Sequence, residues 1–270
     1  MFHNIRTERV IVLRIDIKPM HAGLAVLVVC LVLMCGVGFW RLAGNGGNLA
    51  ASAGARQIPV YCVETQEPRI AISFDVATGT DDLQQLLDIL EKHEVHATFF
   101  MVGSWIRKWP DQVKQLYESG HELANHANHH VDMTTLDTAG CMEEIRGAQQ
   151  EVSALTGYEM NLFRPPYGAY NNQVIEAANQ CGYITVQWSV DSLDWKEYGA
   201  EDMLKRVLEH KNLENGAILL FHNNTKYTAQ ALDGILTGLE KKGYQIGTVS
   251  ELILRENYTI DSEGRQHPSA

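Results

Sequence analysis

The segment Arg69–Phe74 (RIAISF), followed directly by Asp75, decides the fold class of this 270-residue chain. Its apolar residues form a continuous run and do not alternate with polar ones, which is typical of a strand buried on both faces of a parallel sheet. Three further segments have the same character and are predicted to be strands: Ala97–Val102, Ile184–Gln187 and Ala217–Phe221.

Helical patterns lie between these strands. In the segment 82–94, four leucines fall on one helical face, and the segments 137–156, 200–211 and 227–242 show a similar period. Gly157 and Gly243 stand where two of these helices should end. Alternation of strand and helix over roughly 190 residues predicts an α/β fold with parallel strands, in either a barrel or a doubly wound sheet.

The N-terminal part of the chain has a different character. Ala22–Trp40 is a run of 19 residues without a charge, which at ~1.5 Å per residue spans about the ~30 Å apolar core of a bilayer. Basic residues precede this run, so the N-terminus is predicted to be cytoplasmic and the rest of the chain to be exported. Two sites that resemble signal-peptidase sites, at Ala51–Ala53 and Ala53–Ala55, support the alternative of a cleaved signal and a secreted protein.

These features divide the chain into five segments. The division predicts a cytoplasmic segment over 1–21, a transmembrane signal-anchor over 22–40, a flexible linker over 41–60, a folded domain over 61–255 and a polar tail over 256–270. The formal net charge of -11 disfavours nucleic acid as a partner. The five cysteines include no C-x-x-C pair, which argues against a thiolate zinc site. No protein partner is inferred.

Polar residues that could take part in catalysis or bind a metal ion follow the first predicted strands. Asp75 stands where carboxylates gather in α/β active sites, although an aspartate there could also cap a turn. His126 and His130 have a spacing of one helical turn, which could place both imidazoles on one metal ion, but pairs of this kind are often ordinary surface histidines. Asp81 and Asp82 stand at the start of a predicted helix, where either could cap the helix or reach a cation.

Three more motifs follow later strands. The segment Arg164-Pro165-Pro166-Tyr167-Gly168 predicts a rigid loop that presents an arginine and a free amide, although a tight turn with a surface arginine has the same pattern. Asp191–Trp195 and Leu220–His222 also place polar groups at strand ends, where capped turns and core histidines are the ordinary interpretation. Five such motifs at successive strand ends favour a shared site.

In this order, the five motifs resemble those of the polysaccharide deacetylases of carbohydrate esterase family 4, the NodB-homology domain, from about Arg69 to Leu254. The resemblance implies a distorted (β/α) barrel that removes N-acetyl groups from chitin or peptidoglycan sugars with one divalent metal ion, zinc above all and cobalt as another option. Two residues depart from the pattern. Val76 occupies the position of a metal-binding aspartate of the family, and Ala127 lacks the hydroxyl usual in the second motif.

The resemblance also implies roles for individual residues. Around Phe74–Asp82 the chain resembles a sporulation-type branch of the family, in which an acid beyond the glycine completes the metal site; Asp82 is the first choice and Asp81 the second. The implied metal ligands are therefore His126, His130 and Asp82. The implied catalytic residues are Asp75 as general base, Arg164 as its partner, the Tyr167 amide at the oxyanion, His222 as general acid and Asp194 as the residue that tunes it. The implied substrate contacts are Pro165, Pro166, Trp195 and Leu220.

The function expected from the sequence is hydrolysis of N-acetyl groups on cell-wall polysaccharide, with peptidoglycan as the main candidate. Which amino sugar reacts stays open, and chitin-like oligomers are an alternative substrate. Because Val76 cannot ligate a metal, a degenerate barrel that binds glycan without cleaving it is a second hypothesis. A metal-dependent hydrolase of another amide or ester is a third.

Overall fold

The computed structural model describes residues 55–269. The predicted cytoplasmic segment 1–21, the predicted anchor 22–40 and most of the predicted linker 41–60 lie outside them. Within 55–269, no helix combines the length and the apolar character that crossing a membrane requires.

A sheet of parallel strands forms the framework of the domain. Along the sheet the order is β6-β5-β4-β3-β2-β8-β7, with β9 paired to the start of β2. Strands β6 and β7 stand at the two ends of this order. The bounds of these strands are β2 (Arg69–Val76), β3 (Thr98–Met101), β4 (Glu122–Asn125), β5 (Leu162–Phe163), β6 (Ile184–Thr185), β7 (Val190–Asp191), β8 (Ile218–His222) and β9 (Gln245–Gly247).

Eight α-helices accompany the strands in the part of the chain that the structure describes. Four of them, at 83–92, 138–156, 200–208 and 228–241, agree with the predicted helical segments within a few residues. The other four, at 103–108, 110–118, 172–180 and 249–252, lie outside the predicted segments. The helices are α1 (Leu83–Lys92), α2 (Gly103–Lys108), α3 (Pro110–Glu118), α4 (Thr138–Thr156), α5 (Asn172–Gln180), α6 (Ala200–Leu208), α7 (Thr228–Lys241) and α8 (Val249–Leu252).

Helix α4 shows how local sequence sets an element. Its N-cap is Asp137, whose carboxylate accepts a hydrogen bond from the Gly140 amide at 2.8 Å. Its C-cap is Gly157, which adopts a left-handed conformation with φ 69°. Glycine takes this conformation without the steric cost that a Cβ imposes. The helix therefore ends where the glycine in the sequence predicted.

The two faces of the sheet bury separate apolar clusters. On β2, Ile70, Ile72 and Phe74 belong to the cluster that includes the helices, whereas Ala71 belongs to a second cluster with residues such as Phe100 and Ile218. Because side chains alternate along a strand, Asp75 lies on the same inner face as Ala71. Helices covering one face and a separate inner core favour the barrel over the doubly wound sheet. The predicted α/β class is confirmed, in the form of an open half-barrel.

The predicted end of the domain at residue 255 is wrong. Within the predicted polar tail 256–270, β10 (Tyr258–Ile260) and β11 (Arg265–Pro268) form a small sheet with β1 (Cys62–Val63). The side chain of Gln266 is fully buried and bonds both the amide and the carbonyl of Leu254. Strand pairing and this satisfied amide hold polar residues in the fold, which hydropathy does not reveal.

The predicted flexible linker also requires a correction at its end. Val60 is fully buried and forms a parallel bridge with Val186, and its amide donates to the Thr185 carbonyl at 3.0 Å. The Gln57 amide donates to the Asn172 side chain at 2.8 Å. The residues from Gln57 onward therefore belong to the folded domain, because backbone pairing holds them against the sheet.

Candidate active site

The carboxyl ends of the parallel strands bring the predicted residues to one edge of the sheet. Asp75 on β2 is in register with His222, the last residue of β8. His126 follows β4 directly, and Arg164 follows β5 directly. This edge is where α/β folds place their active sites, because strand ends and the loops after them meet there.

Asp75 and Arg164 form a buried ion pair. The guanidinium Nη1 donates to Asp75 Oδ1 at 2.7 Å, and Nη2 donates to the Gln187 carbonyl at 3.0 Å. Arg164 is 0% exposed and Asp75 is 7% exposed. Burial alone would raise the pKa of Asp75, but the charge of Arg164, followed by smaller contributions from His126, His222 and the hydrogen bond of Arg164, holds that pKa below its ordinary value. Asp75 is therefore a carboxylate at neutral pH.

His126 has a defined tautomer. Its Nδ1 lies 2.7 Å from the Arg164 carbonyl oxygen, which can only accept, so Nδ1 carries the proton. The other nitrogen, Nε2, lies 3.6 Å from Asp75 Oδ2. Burial lowers the pKa of His126 to about 4, so the ring is neutral at pH 7. A neutral imidazole with its Nδ1 proton on a carbonyl is the form that ligates metals through Nε2.

His130 lies beside His126, but the helical turn assumed from their spacing is wrong. The segment between them is a loop in which Ala127 and His130 adopt left-handed conformations, with φ 65° and 33°. The loop brings the ring centroids of the two histidines to 5.1 Å. The Tyr167 ring lies 4.5 Å from the His130 ring, and its hydroxyl donates to the His130 carbonyl. The two imidazoles therefore lie close together as the spacing predicted, but a loop and not a helical turn brings them there.

Asp82 is not gathered with the two histidines. Its Oδ1 accepts a hydrogen bond from the Asn224 amide at 2.7 Å, while its Oδ2 is buried without a partner. Burial raises the pKa of Asp82. Within residues 55–269, no three His, Cys, Asp or Glu side chains are grouped closely enough to hold a metal ion. The carboxylate that lies against His126 belongs to Asp75 instead, and Asp81, the second choice for the ligand, is exposed on the surface.

The donor chemistry of the site nevertheless suits a divalent metal. His126 is neutral and has its Nε2 free of the hydrogen bond that its Nδ1 makes, and burial also lowers the pKa of His130. Neutral imidazoles are preferred ligands of zinc, and catalytic zinc sites keep positions for water and substrate. His126 and His130 therefore fit as two ligands of one ion.

Asp194 and His222 form a second polar pair. Asp194 Oδ1 accepts from His222 Nδ1 at 2.7 Å, and Oδ2 accepts from the His222 amide at 2.7 Å and from the Thr228 hydroxyl at 2.8 Å. Burial lowers the pKa of His222, but the hydrogen bond and charge of Asp194 outweigh it and the net pKa is raised. This pairing leaves His222 Nε2 as the nitrogen that can exchange a proton with a substrate.

The Arg164–Gly168 loop is held rigidly. Tyr167 has a left-handed backbone with φ 62°, a conformation uncommon for a residue with a Cβ. Gln187 donates from its side chain to the Gly168 carbonyl at 3.0 Å, and Gly168 packs closely on Trp188. Pro165 and Pro166, predicted to contact substrate, are both buried. Their position suits support of the turn better than direct contact.

The other two predicted substrate contacts, Leu220 and Trp195, differ in exposure. Leu220 is 2% exposed and is in register with Asp191 of β7. Trp195 is 56% exposed and follows Asp194, whose carboxylate accepts from the Trp195 amide. The Tyr167 side chain is exposed by 68%. The site thus combines a buried polar floor with exposed aromatic rings.

Sequence reasoning missed four residues that support the site. Gln187 and Thr228 bond the loop and the aspartate described above, and Asn125 and Glu144 bond the loop between the two histidines. None of them stands in a motif with a mechanism of its own. The sequence carries no signal for them, because each makes at least one of its bonds to a separate segment, as Asn125 does to the Ile145 carbonyl.

Comparison with known proteins agrees with this geometry. The sequence profile of the family described as "Polysaccharide deacetylase" matches residues 63–186. The chain is 35% identical over 195 residues to the uncharacterized protein YlxY of Bacillus subtilis, covering 72% of this chain and 60% of that protein. It is 32% identical over 210 residues to the peptidoglycan-N-acetylmuramic acid deacetylase PdaA of the same organism, covering 75% of this chain and 78% of PdaA.

Solved structures include a similar fold. The wild-type BA3943 protein of Bacillus anthracis, described as a CE4 family pseudoenzyme, superposes with a TM-score of 0.69 at 31% identity, over 72% of this chain and 68% of that chain. A mutant of the same protein is described as having restored enzymatic activity. Together with the profile match and the similarity to PdaA, these matches show that the chain belongs to the polysaccharide deacetylase family, carbohydrate esterase family 4.

Proposed function

We propose that this chain is a metal-dependent deacetylase that hydrolyses N-acetyl groups of cell-wall polysaccharide, with amino sugars of peptidoglycan as substrate. The products are acetate and a free amine. One observation carries the proposal: Asp75, with a lowered pKa, and His222, with a raised pKa, stand in register at one strand edge. Two groups whose environments push their pKa values apart are suited to act as base and acid in one reaction.

Asp75 acts as the general base. Arg164 occupies Oδ1 and keeps the carboxylate ionised, and Oδ2 remains to accept the proton of the attacking water. The water oxygen then forms a bond with the acetyl carbon. A positioned base contributes about 10²–10⁴ in rate. A buried arginine partner matters here because burial alone would raise the pKa of Asp75 and protonate part of the base.

His222 acts as the general acid. As the carbon–nitrogen bond breaks, Nε2 gives its proton to the departing amine, while Asp194 stabilises the charged ring through Nδ1. The raised pKa of His222 keeps the ring protonated at a higher pH. The acetyl group leaves as acetate and the sugar keeps the amine. Asp75 then releases its proton to solvent and His222 takes one up, so each cycle consumes one water and restores both residues.

The metal would be held by His126 and His130, with Asp82, whose buried Oδ2 has no hydrogen-bond partner, as the proposed further ligand. Zinc is the preferred metal and cobalt the second choice. A bound divalent ion would polarise the acetyl oxygen as a Lewis acid and lower the pKa of the bound water. The Tyr167 amide is proposed to donate a hydrogen bond to the oxyanion. One donor of this kind contributes roughly 10²–10³ in rate in other hydrolases.

The proposed location agrees with this substrate. Peptidoglycan lies outside the cytoplasmic membrane, and the sequence predicts that residues 22–40 anchor the chain with its C-terminal domain on the outer side. Cleavage after the predicted signal would release the same domain. In the anchored form, the membrane is a partner besides the glycan. Fractionation of cells with an antibody to the C-terminal domain would distinguish the anchored form from the released form.

A second candidate function is glycan binding without cleavage. Two observations favour it: Val76 stands where the family has a metal-binding aspartate, and the chain is similar to a structure described as a pseudoenzyme. Against it, Asp75, Arg164, Asp194 and His222 are all present and paired. A protein that only binds glycan does not need a matched acid and base.

The test is acetate release by the full chain, purified in a mild detergent with zinc, from peptidoglycan and from N-acetylchito-oligomers. Asp75→Asn and His222→Ala are each expected to lower the rate by about 10²–10⁴. Asp88→Asn, which changes an exposed aspartate on α1, is the matched control and should keep the wild-type rate. Binding of glycan with no acetate release by the wild-type chain would support the second candidate and refute the first.

A further inference from the structure

The loop that carries the two histidines has a strained backbone. Ala127 and His130 both adopt left-handed conformations, which residues with a Cβ avoid. The second motif of the family usually supplies a hydroxyl at the position of Ala127, and this chain has none. Some other contact must hold the loop in the shape that brings the imidazoles together.

Glu144 on α4 makes that contact. Its Oε2 accepts hydrogen bonds from the Asn128 amide at 3.0 Å and the His129 amide at 2.8 Å. Its Oε1 pairs with Nδ1 of the exposed His129 ring at 2.8 Å. The side chain of Glu144 is only 13% exposed. Consecutive backbone amides on one carboxylate form charge-assisted bonds, which are stronger than bonds between neutral groups.

Asn125 braces the beginning of the same loop. Its side-chain oxygen accepts from the Ala127 amide at 2.9 Å, and its side-chain nitrogen donates to the Ile145 carbonyl on α4 at 2.7 Å. Asn125 therefore holds the backbone of Ala127, whose own side chain has no hydroxyl. Asn125 and Glu144 together tie the loop to one helix.

The opposite side of the loop is held by α2. The amides of Gly103 and Ser104 donate to the carbonyls of Ala127 and Asn128, each at 2.9 Å. A side chain on Gly103 would collide with the Asn128 side chain, since an ideal Cβ would lie 2.3 Å from its Oδ1. The close approach requires glycine there. The loop is thus held from both sides, and within residues 55–269 Glu144 is the one charged side chain that accepts from its backbone amides.

We propose that Glu144 is a positioning residue for the metal site: it fixes the backbone of Asn128 and His129 so that His126 and His130 present their rings to one ion. This inference rests on the proposed function for its metal. Glu144 lies on α4, outside the sequence motifs. There it gives the loop the support that a hydroxyl at position 127 would otherwise provide. Glu144 does not touch substrate or metal, so its effect is on ligand geometry.

The experiment measures zinc affinity of the full chain by calorimetry in mild detergent. Glu144→Ala is expected to weaken zinc binding by about tenfold, the lower end of the range for residues that orient metal ligands. Glu144→Gln keeps an oxygen that can accept from both amides and should recover most of the affinity. Glu143→Ala removes the same charge from an exposed position one residue away and should bind zinc like the wild-type chain.

A second measurement separates positioning from general stability. Hydrogen exchange of the metal-free chain should become faster at the Asn128 and His129 amides in Glu144→Ala, with exchange in the β2 core unchanged. Unaltered zinc affinity in Glu144→Ala, with or without a lower melting temperature, would overturn the inference. So would a wild-type chain that binds no zinc. Tight zinc binding without acetate release would instead refute the proposed function and leave this inference standing.

Discussion

Replacing Arg164 with methionine tests the electrostatic core of the site. The guanidinium is fully buried and bonds the Asp75 carboxylate at 2.7 Å, and its carbon lies 4.0 Å from the centre of the Phe100 ring. Methionine keeps much of the apolar contact but leaves a buried charge without a partner. Removing one member of a buried ion pair costs about 3–5 kcal/mol of the free energy of unfolding.

The pH dependence of this loss has a defined sign. In the wild-type chain the pKa of Asp75 lies below its ordinary value of 3.8, so the carboxylate stabilises the fold at pH above 3.8 and this stabilisation is lost as pH falls through the lower, folded-state pKa. Without Arg164, burial raises the pKa of Asp75, and stability then falls as pH rises above 3.8. The difference in the free energy of unfolding between Arg164→Met and the wild-type chain should therefore be larger at pH 7 than at acidic pH.

Urea unfolding of the full chain in mild detergent, at several pH values, measures this loss. Arg206→Met is the matched control, because Arg206 pairs with Asp202 at the surface and should contribute only about 0–1 kcal/mol. Asp75→Asn in the Arg164→Met background should restore part of the stability by removing the unpaired charge. A loss in Arg164→Met no larger than in Arg206→Met, with no dependence on pH, would refute the reasoning.

Three further predictions concern other parts of the chain. Asp194→Asn should lower the pKa of His222, because burial then acts without the carboxylate, and should move the basic limb of the pH profile of kcat/KM to lower pH; an unmoved limb would argue against His222 as the acid. Asp82→Ala should weaken zinc binding in calorimetry, and an unchanged affinity would remove Asp82 from the metal site. Gln266→Leu should lower the free energy of unfolding by about 1–3 kcal/mol, because the amide and carbonyl of Leu254 lose their buried partner; a loss too small to measure would mean that water replaces the side chain.

Four strands of the large sheet and four of the eight helices within residues 55–269 could be predicted from the sequence, because their signals are local. The continuous apolar run before Asp75 predicted β2, and the leucines after Asp82 predicted α1. The motifs at the strand ends could also be predicted to meet, since parallel strands place their carboxyl ends at one edge. The ion pair of Asp75 with Arg164 and the pair of Asp194 with His222 join residues that those motifs had already singled out.

The predictions from the sequence were wrong where segments distant along the chain interact. The polar segment after residue 255 has no hydropathy signal, yet backbone pairing with β1 and the buried Gln266 bring it into the fold. The helical turn assumed between His126 and His130 is a loop, because contacts from α2 and α4 stabilise backbone conformations that the spacing does not specify.

The sequence by itself determined the α/β class, the order of the strands along the chain and the chemical groups that they carry, because apolar periodicity and short motifs are properties of neighbouring residues. The family resemblance implied that Arg164 pairs with Asp75 and Asp194 with His222, and only the tertiary structure decided which residues outside the motifs hold these groups in place. Glu144 shows the physical reason: its role follows from two backbone amides on another segment, and no property of its own neighbours in the sequence encodes that contact.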